Sequence, residues 1–403
     1  MRWKDRFRYP LDLMKARRCL ENAATARTQQ REQARGDHWE GDQAARVVLD
    51  LHHTTLLFDG ARHLQCIATH ALRLDRSVIL RCRKRLLGLI AHKTHGAEFL
   101  SMPNVYWQRV RREGQRWAHQ AEDLVLTDRI SSADQAGNQA WSLLCGRDQI
   151  EGLPVMPYPM FPCHITRATP QYLAEQRSAD KAGVFFAGNL QARYSRDTME
   201  RDFKMLSRGA IVTALQEQFS GRIGKTAAAG NPDAIVLRDA TEHPIASEQW
   251  LATLAEHQFF VCCPGVAQPV CHNVVEAMSV GCVPLVEYGH RMHPPLQDNV
   301  NAICFEGRSG LIQAIERIDS MSDQQLRTLS ANVCAYYDRY LCGSSFLNKL
   351  QQALTVPSVH STARMILMPF HSENLFDPVQ VQQICQQGVQ PISQQGGTAS
   401  RAA

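Results

Sequence analysis

No run of about 20 apolar residues occurs in this chain of 403 residues, so no membrane-spanning helix is expected. No G-x-G-x-x-G follows an apolar run, which argues against a bound dinucleotide. Gly221-Arg222-Ile223-Gly224-Lys225-Thr226 ends like a phosphate loop, but that motif needs a glycine where Phe219 stands. No D-x-D sits between a strand and a loop, so the sequence requires no metal. No C-x-x-C pair occurs among the thirteen cysteines, an odd and scattered set. Cys262, Cys263, Cys282 and Cys304 lie inside apolar runs, where a reduced thiol packs as a small hydrophobe. The reading is a reducing cytoplasm, with neither a disulfide framework nor a zinc site. The start, MRWKDRFRYPLDLMKARR, is basic but lacks an apolar core of about 7–15 residues, so it does not read as a secretory signal. No aromatic platform is interleaved with the basic segments, so nucleic acid is not an expected partner.

What is present is an ordinary globular composition, 44% hydrophobic and 21% charged, at a length that suggests two domains. The net charge of +5 is unevenly spread. Residues 1–40 hold ten Lys/Arg against six Asp/Glu. The stretch from Arg81 to Arg116 is basic as well. Two readings stay open: a solvated surface, or a face for anionic membrane lipid or an anionic acceptor. The second would make the chain peripheral at the inner face of the membrane.

Along the chain, residues 1–41 read as a basic helical extension. Strands are expected at Arg46 to Leu51, Ser77 to Cys82 and Asp123 to Thr127, with helices between them. Strand–helix alternation implies a parallel sheet with covered faces. Residues 42–155 thus form one Rossmann-like domain. Four prolines between Leu153 and Pro162 can continue neither a helix nor a central strand, so 156–164 read as a stiff linker. Residues 165–345 alternate again: strands at 183–187, 234–237, 259–263, 283–286 and 302–305, helices at 198–219, 248–257, 311–318 and 323–340. Residues 346–380 are expected to return to the first domain. Residues 381–403, rich in Gln, Gly, Ser and Ala, read as disordered. The fold class is α/β, with two doubly wound domains facing a cleft.

The most informative stretch is residues 259–289. An apolar run, Phe259 to Cys263, ends at Pro264-Gly265; a helix-like stretch from Asn273 is stopped by Gly281; a second apolar run follows. A loop of this kind delivers backbone N–H groups to a helix N-terminus, where a phosphate can bind. Cys263-Pro264-Gly265, Asn273-Val274-Val275-Glu276-Ala277 and Gly281-Cys282-Val283-Pro284 together resemble the donor-binding domain of GT-B glycosyltransferases, most closely the exostosin-like type. The resemblance covers about residues 183–310. It implies a sugar moved from a nucleotide-sugar to a glycan or glycolipid acceptor, without a cofactor, in cell-surface polysaccharide or glycolipid assembly. Two alternatives remain: a non-catalytic nucleotide- or sugar-binding subunit of a glycan assembly complex, and a GT-B epimerase or hydrolase.

The resemblance gives Glu276 a contact to the nucleotide ribose or donor sugar; the residues alone give it a capping box with Asn273. His272 and Asn273 sit at the same helix start. Pro264 and Gly265 shape the loop before it. Gly188 and Asn189 end the first strand of the second domain, where glycine permits close approach of a ligand. Arg193 and Arg196 follow, placed to neutralise a leaving diphosphate. In the first domain Asp50, His53 and Asp59 cluster after the first strand with His52, and Asp128 follows a later one. Each is a candidate general base at the carboxyl end of a sheet.

Overall fold

The apolar runs become the strands of two parallel sheets in the computed structural model of the chain, which describes residues 3–33, 45–111, 122–130, 140–195, 197–224, 233–355 and 364–387. Helix α1 (Trp3–Gln33) comes first. It is no loose appendage, because Ala16 and Cys19 enter the core of the first domain. Then follow β1 (Val47–Asp50), α2 (Arg62–Arg73), β2 (Val78–Cys82), α3 (Lys84–His92), α4 (Thr94–Leu100), β3 (Val105–Arg109), β4 (Leu124–Thr127) and β5 (Ala140–Cys145). Val47, Val48 and Leu49 are successive and all fully buried. A strand covered on both faces has that pattern; a half-exposed one would alternate.

The proline-rich stretch crosses to the second domain in extended form, and its first half lies along Leu367. The Leu367 N–H donates to the Pro154 carbonyl (2.9 Å) and the Met156 N–H donates to the Leu367 carbonyl (2.8 Å). The crossing ends in α5 (Pro162–Arg167), whose proline at the first turn needs no N–H partner. Beyond it come α6 (Pro170–Arg177), β6 (Val184–Gly188), α7 (Thr198–Phe203), α8 (Arg208–Gln218), β7 (Ile235–Asp239), α9 (Trp250–Ala255), β8 (Phe259–Val261), α10 (His272–Ser279), β9 (Val283–Val286), β10 (Ile303–Cys304), α11 (Gly307–Asp319) and α12 (Asp323–Tyr336). The single helix expected over 198–219 is two. Lys204 takes a positive φ of 58°, and Ser207 restarts the helix by accepting the Ala210 N–H at 3.2 Å.

One π-helical turn, Tyr337–Leu341, carries the chain back to the first domain. There α13 (Gly343–Thr355) packs on α2, and β11 (Met365–Met368) pairs in parallel with β5. Gly343 lies where a Cβ would overlap the ring of His70, a buried side chain bonded to Ser344 at 3.1 Å. Gly343→Ala should therefore cost about 1–3 kcal/mol. Thermal unfolding is the check, and an unchanged melting temperature would show that the ring yields freely. The last described element is α14 (Pro378–Gln387). It buries Val381 against Leu144, Met365 and Leu367, which corrects the expected disorder for residues 381–387. Residues 388–403 lie outside the described residues.

Every strand pair among the described residues is parallel. The first sheet runs β3-β2-β1-β4-β5-β11, the second β7-β6-β8-β9-β10. Counted along each sheet, these are the doubly wound orders 3-2-1-4-5-6 and 2-1-3-4-5. The winding reverses between β1 and β4 in one sheet and between β6 and β8 in the other. A crevice opens at the carboxyl ends of the strands at each reversal, and ligands of open α/β sheets bind there.

Candidate active site

In the second sheet the crevice lies between Gly188-Asn189, at the end of β6, and Pro264-Gly265, after β8. A residue absent from the sequence expectations spans it. Arg208, the first residue of α8, donates from Nη1 to the Asn189 carbonyl and from Nη2 to the Pro264 carbonyl, both at 3.1 Å. Its guanidinium lies over the Tyr194 ring, 4.0 Å from the ring centre, a cation–π contact. Arg208 is buried, its Nε has no hydrogen-bond partner, and no carboxylate among the described residues pairs with it. Two of its five N–H groups are used. Gly188 makes room for it, since a Cβ there would stand 3.3 Å from Nη1. Arg193 is exposed beside Tyr194. Arg196 lies outside the described residues.

The loop from 264 to 271 departs from expectation. The Gly265 N–H donates to the Pro269 carbonyl at 3.1 Å, so it is spent closing the loop on itself. Helix α10 begins at His272 with Cys271 as N-cap and no side-chain cap, so Asn273 and Glu276 do not form a capping box. Asn273 instead has a buried Oδ1 with no partner among the described residues, next to the uncapped helix end.

Glu276 is fully buried and saturated. Its Oε1 accepts the Phe161 N–H and bonds to His164 Nδ1, each at 2.8 Å. Its Oε2 accepts Trp250 Nε1–H at 2.6 Å and bonds to His272 Nδ1 at 3.0 Å. Four nitrogens occupy the lone pairs that a ribose would need, so Glu276 pins α10 to the interdomain linker rather than facing the cleft. Burial alone would raise its pKa; the charges and hydrogen bonds of His272 and His164 outweigh that and hold the carboxyl well below the usual range. Burial likewise opposes a charged His164, yet hydrogen bonds with Cys163 and Glu276 push it up to about 9.

In the first sheet the crevice between β1 and β4 gathers most of the candidate bases. Asp128 accepts the backbone N–H groups of His52 and His53, both at 2.8 Å, so its carboxylate holds the loop. Burial raises its pKa, and those two N–H groups offset only part of the rise. Asp50 stands 3.3 Å from His52 Nε2 and 3.1 Å from Arg81 Nη1. Burial works against its charge, but the bond to His52 and the Arg81 charge bring its pKa below the ordinary value. A carboxylate so held is a weak base but a good orienter of an imidazole. His52 is the imidazole that Asp50 orients. His53 is exposed; Asp128 accepts its backbone N–H, and its ring lies close enough to act on that carboxylate. Asp59, with a left-handed φ of 50°, pairs with Arg62 at 2.7 Å. Among the described residues, no group of three or more His, Cys, Asp or Glu is placed to hold a metal ion.

The two carboxyl edges meet. Arg291, beyond β9, donates to the Arg147 carbonyl at 2.7 Å, and Gln149, beyond β5, donates to the Arg291 carbonyl at 2.7 Å. Both crevices therefore open toward one cleft. Two doubly wound domains with facing carboxyl edges, and a chain that returns to the first, are the architecture of the GT-B fold.

No family model matches the chain, and no curated protein matches it in sequence. Among solved structures it is similar to a glycosyltransferase from Rickettsia africae ESF-5, with a TM-score of 0.42 and 10% identity over 78% of this chain and 100% of that one. It is similar to the N-terminal domain of Candida albicans trehalose-6-phosphate phosphatase, with a TM-score of 0.37 and 10% identity over 78% and 97%. It is also similar to HepE from Anabaena in complex with UDP and glucose, with a TM-score of 0.36 and 12% identity over 77% and 100%. Likeness this distant carries no activity from those proteins to this chain.

Proposed function

We propose that the protein is a glycosyltransferase that moves a sugar from a nucleotide-sugar to an acceptor hydroxyl, with the donor on the second domain and the acceptor on the first. The observation that carries this reading is Arg208: a buried cation without a carboxylate among the described residues, fixed across the crevice where the second sheet reverses. An anion is what that position lacks, and a diphosphate is the anion a nucleotide-sugar offers. The uncapped start of α10 adds backbone N–H groups and the positive end of its dipole. Asn273, His272 and Pro264 on its side, with Gly188, Asn189 and Arg193 across the crevice, complete the donor surface.

In the reaction the acceptor oxygen bonds to the anomeric carbon. The bond from that carbon to the diphosphate oxygen breaks, and its electron pair leaves on the nucleoside diphosphate. Arg208 stabilises the charge that develops there, which needs no metal. His52, oriented by Asp50, takes the acceptor proton. Closure of the two carboxyl edges excludes water and suppresses donor hydrolysis. The exostosin-like motif points to a glycan or glycolipid as acceptor, in cell-surface assembly.

The test is thermal unfolding with UDP, GDP, CMP and dTDP, followed by release of nucleoside diphosphate from the matching sugar donors with and without glycan acceptors. One nucleotide should raise the melting temperature, by about 2.7 kcal/mol of stability at a hundredfold excess over Kd. Release should depend on acceptor. If none of the four nucleotides shifts unfolding, the reading fails; acceptor-independent release would instead indicate a hydrolase.

A further inference from the structure

Helix α1 buries Ala16, Cys19 and Ala23 on its inner side. On its outer side Leu11 is 65% exposed and Met14 59%, two of the three most exposed large hydrophobic side chains among the described residues. They stand three residues apart and share a face with Arg18, four residues on. Lys15 and Arg17 flank them, also exposed. Among the described residues, no carboxylate pairs with Lys15, Arg17 or Arg18. Of the acids on the helix's described turns, Glu21 is exposed. Asp12 is engaged with Arg8 (3.9 Å) and His92 (3.6 Å). In the sequence, Trp3 and Phe7 precede Leu11 at steps of four.

We propose that the outer face of α1 docks the protein onto an anionic lipid surface, the helix lying in the headgroup plane. Leu11 and Met14 enter the acyl boundary while Lys15, Arg17 and Arg18 meet the headgroups, each basic side chain adding attraction to an anionic surface. An acidic protein would use the cations too, but it would need a shaped pocket for the two apolar side chains; a fluid acyl layer needs none. No described helix is long and apolar enough to cross a membrane, so the contact is peripheral. The inference goes beyond the sugar-transfer reading and does not depend on it.

The experiment is co-sedimentation of the full chain with vesicles of phosphatidylcholine alone and of phosphatidylcholine mixed equally with phosphatidylglycerol. The protein should bind the anionic vesicles and be released by salt, which screens surface charge over about 8 Å at physiological strength. The variant Lys15→Gln/Arg17→Gln/Arg18→Gln should bind more weakly by roughly fivefold per charge removed. Leu11→Gln/Met14→Gln should weaken binding at unchanged net charge. Both should keep the wild-type melting temperature, because all five side chains face solvent. No sedimentation, equal binding to both vesicles, or variants that bind like the wild type would each overturn the proposal; in the first case an acidic protein becomes the partner to seek.

Discussion

Replacing Arg208 by methionine should weaken binding of the donor nucleoside diphosphate by about 10- to 150-fold, and lower kcat/KM at least as much. That is the loss expected for a charge-assisted hydrogen bond worth roughly 1.5–3 kcal/mol. The larger end is expected because the guanidinium is already positioned, by the Asn189 and Pro264 carbonyls on one side and the Tyr194 ring on the other. Its order is in place before the ligand arrives, and a buried cation meets little solvent screening. Arg208→Lys should recover only part of the loss, since an ammonium keeps the charge but cannot span two carbonyls and still face a ligand. The decisive readout compares nucleoside with nucleoside diphosphate. A residue that only braces the two loops would weaken both ligands alike when removed. A residue that meets the phosphates should leave nucleoside affinity nearly untouched and erase most of the gain the diphosphate brings. Equal losses for the two ligands would reduce Arg208 to a brace.

Arg208 was hard to read from sequence because its importance comes from a break. The apolar spacing over 198–219 fits one helix, and only the left-handed Lys204 and the Ser207 cap divide it. Ser207 before an apolar-periodic stretch was the available signal. The strands of the second sheet were legible because buried parallel strands are continuous apolar runs, and Phe259–Val261 and Val283–Val286 are such runs. Strand β3 was not, because Val-Tyr-Trp-Gln-Arg at a sheet edge mixes half-exposed aromatics with polar residues. Strand β11 was less legible still, for it joins a sheet begun some 300 residues earlier, and only the completed fold shows that Met365–Met368 belongs beside β5. The Asp50–His52 pair and the Asp128 bonds were half visible: the sequence placed these side chains at the right strand ends, but not which of them orients another. Glu276 was legible as a residue that matters and misleading in its role. Its partners Trp250, His164 and the Phe161 N–H lie 26, 112 and 115 positions away, beyond the reach of any spacing argument.

Glu276→Gln should destabilise the protein by about 3–5 kcal/mol, the cost of removing one partner from a buried ionic cluster. For a domain of this size that is roughly 6–20 °C in melting temperature. An amide presents an NH₂ where the carboxylate presented an oxygen, so at least one of the nitrogens now bonded to Glu276 would face another donor. The pH dependence is the sharper test. His164 is held at about 9 in the fold against an ordinary 6.5, so its contribution is complete below about pH 6.5 and is lost as pH rises through about 9. Glu276 is depressed from an ordinary 4.5, so its contribution is complete above that value and is lost as pH falls below it. The wild-type protein should thus carry on the order of 3 kcal/mol of stability near pH 6 that declines toward pH 9. In Glu276→Gln that alkaline decline should shrink, because His164 keeps Cys163 but loses Glu276, one of the two partners that raise its pKa. Thermal unfolding of both proteins from pH 5 to pH 9 measures it. The result that would sink this role is a variant that melts like the wild type across the range yet binds the nucleotide-sugar poorly, since Glu276 would then be a ligand of the donor and not the pin between α10 and the linker.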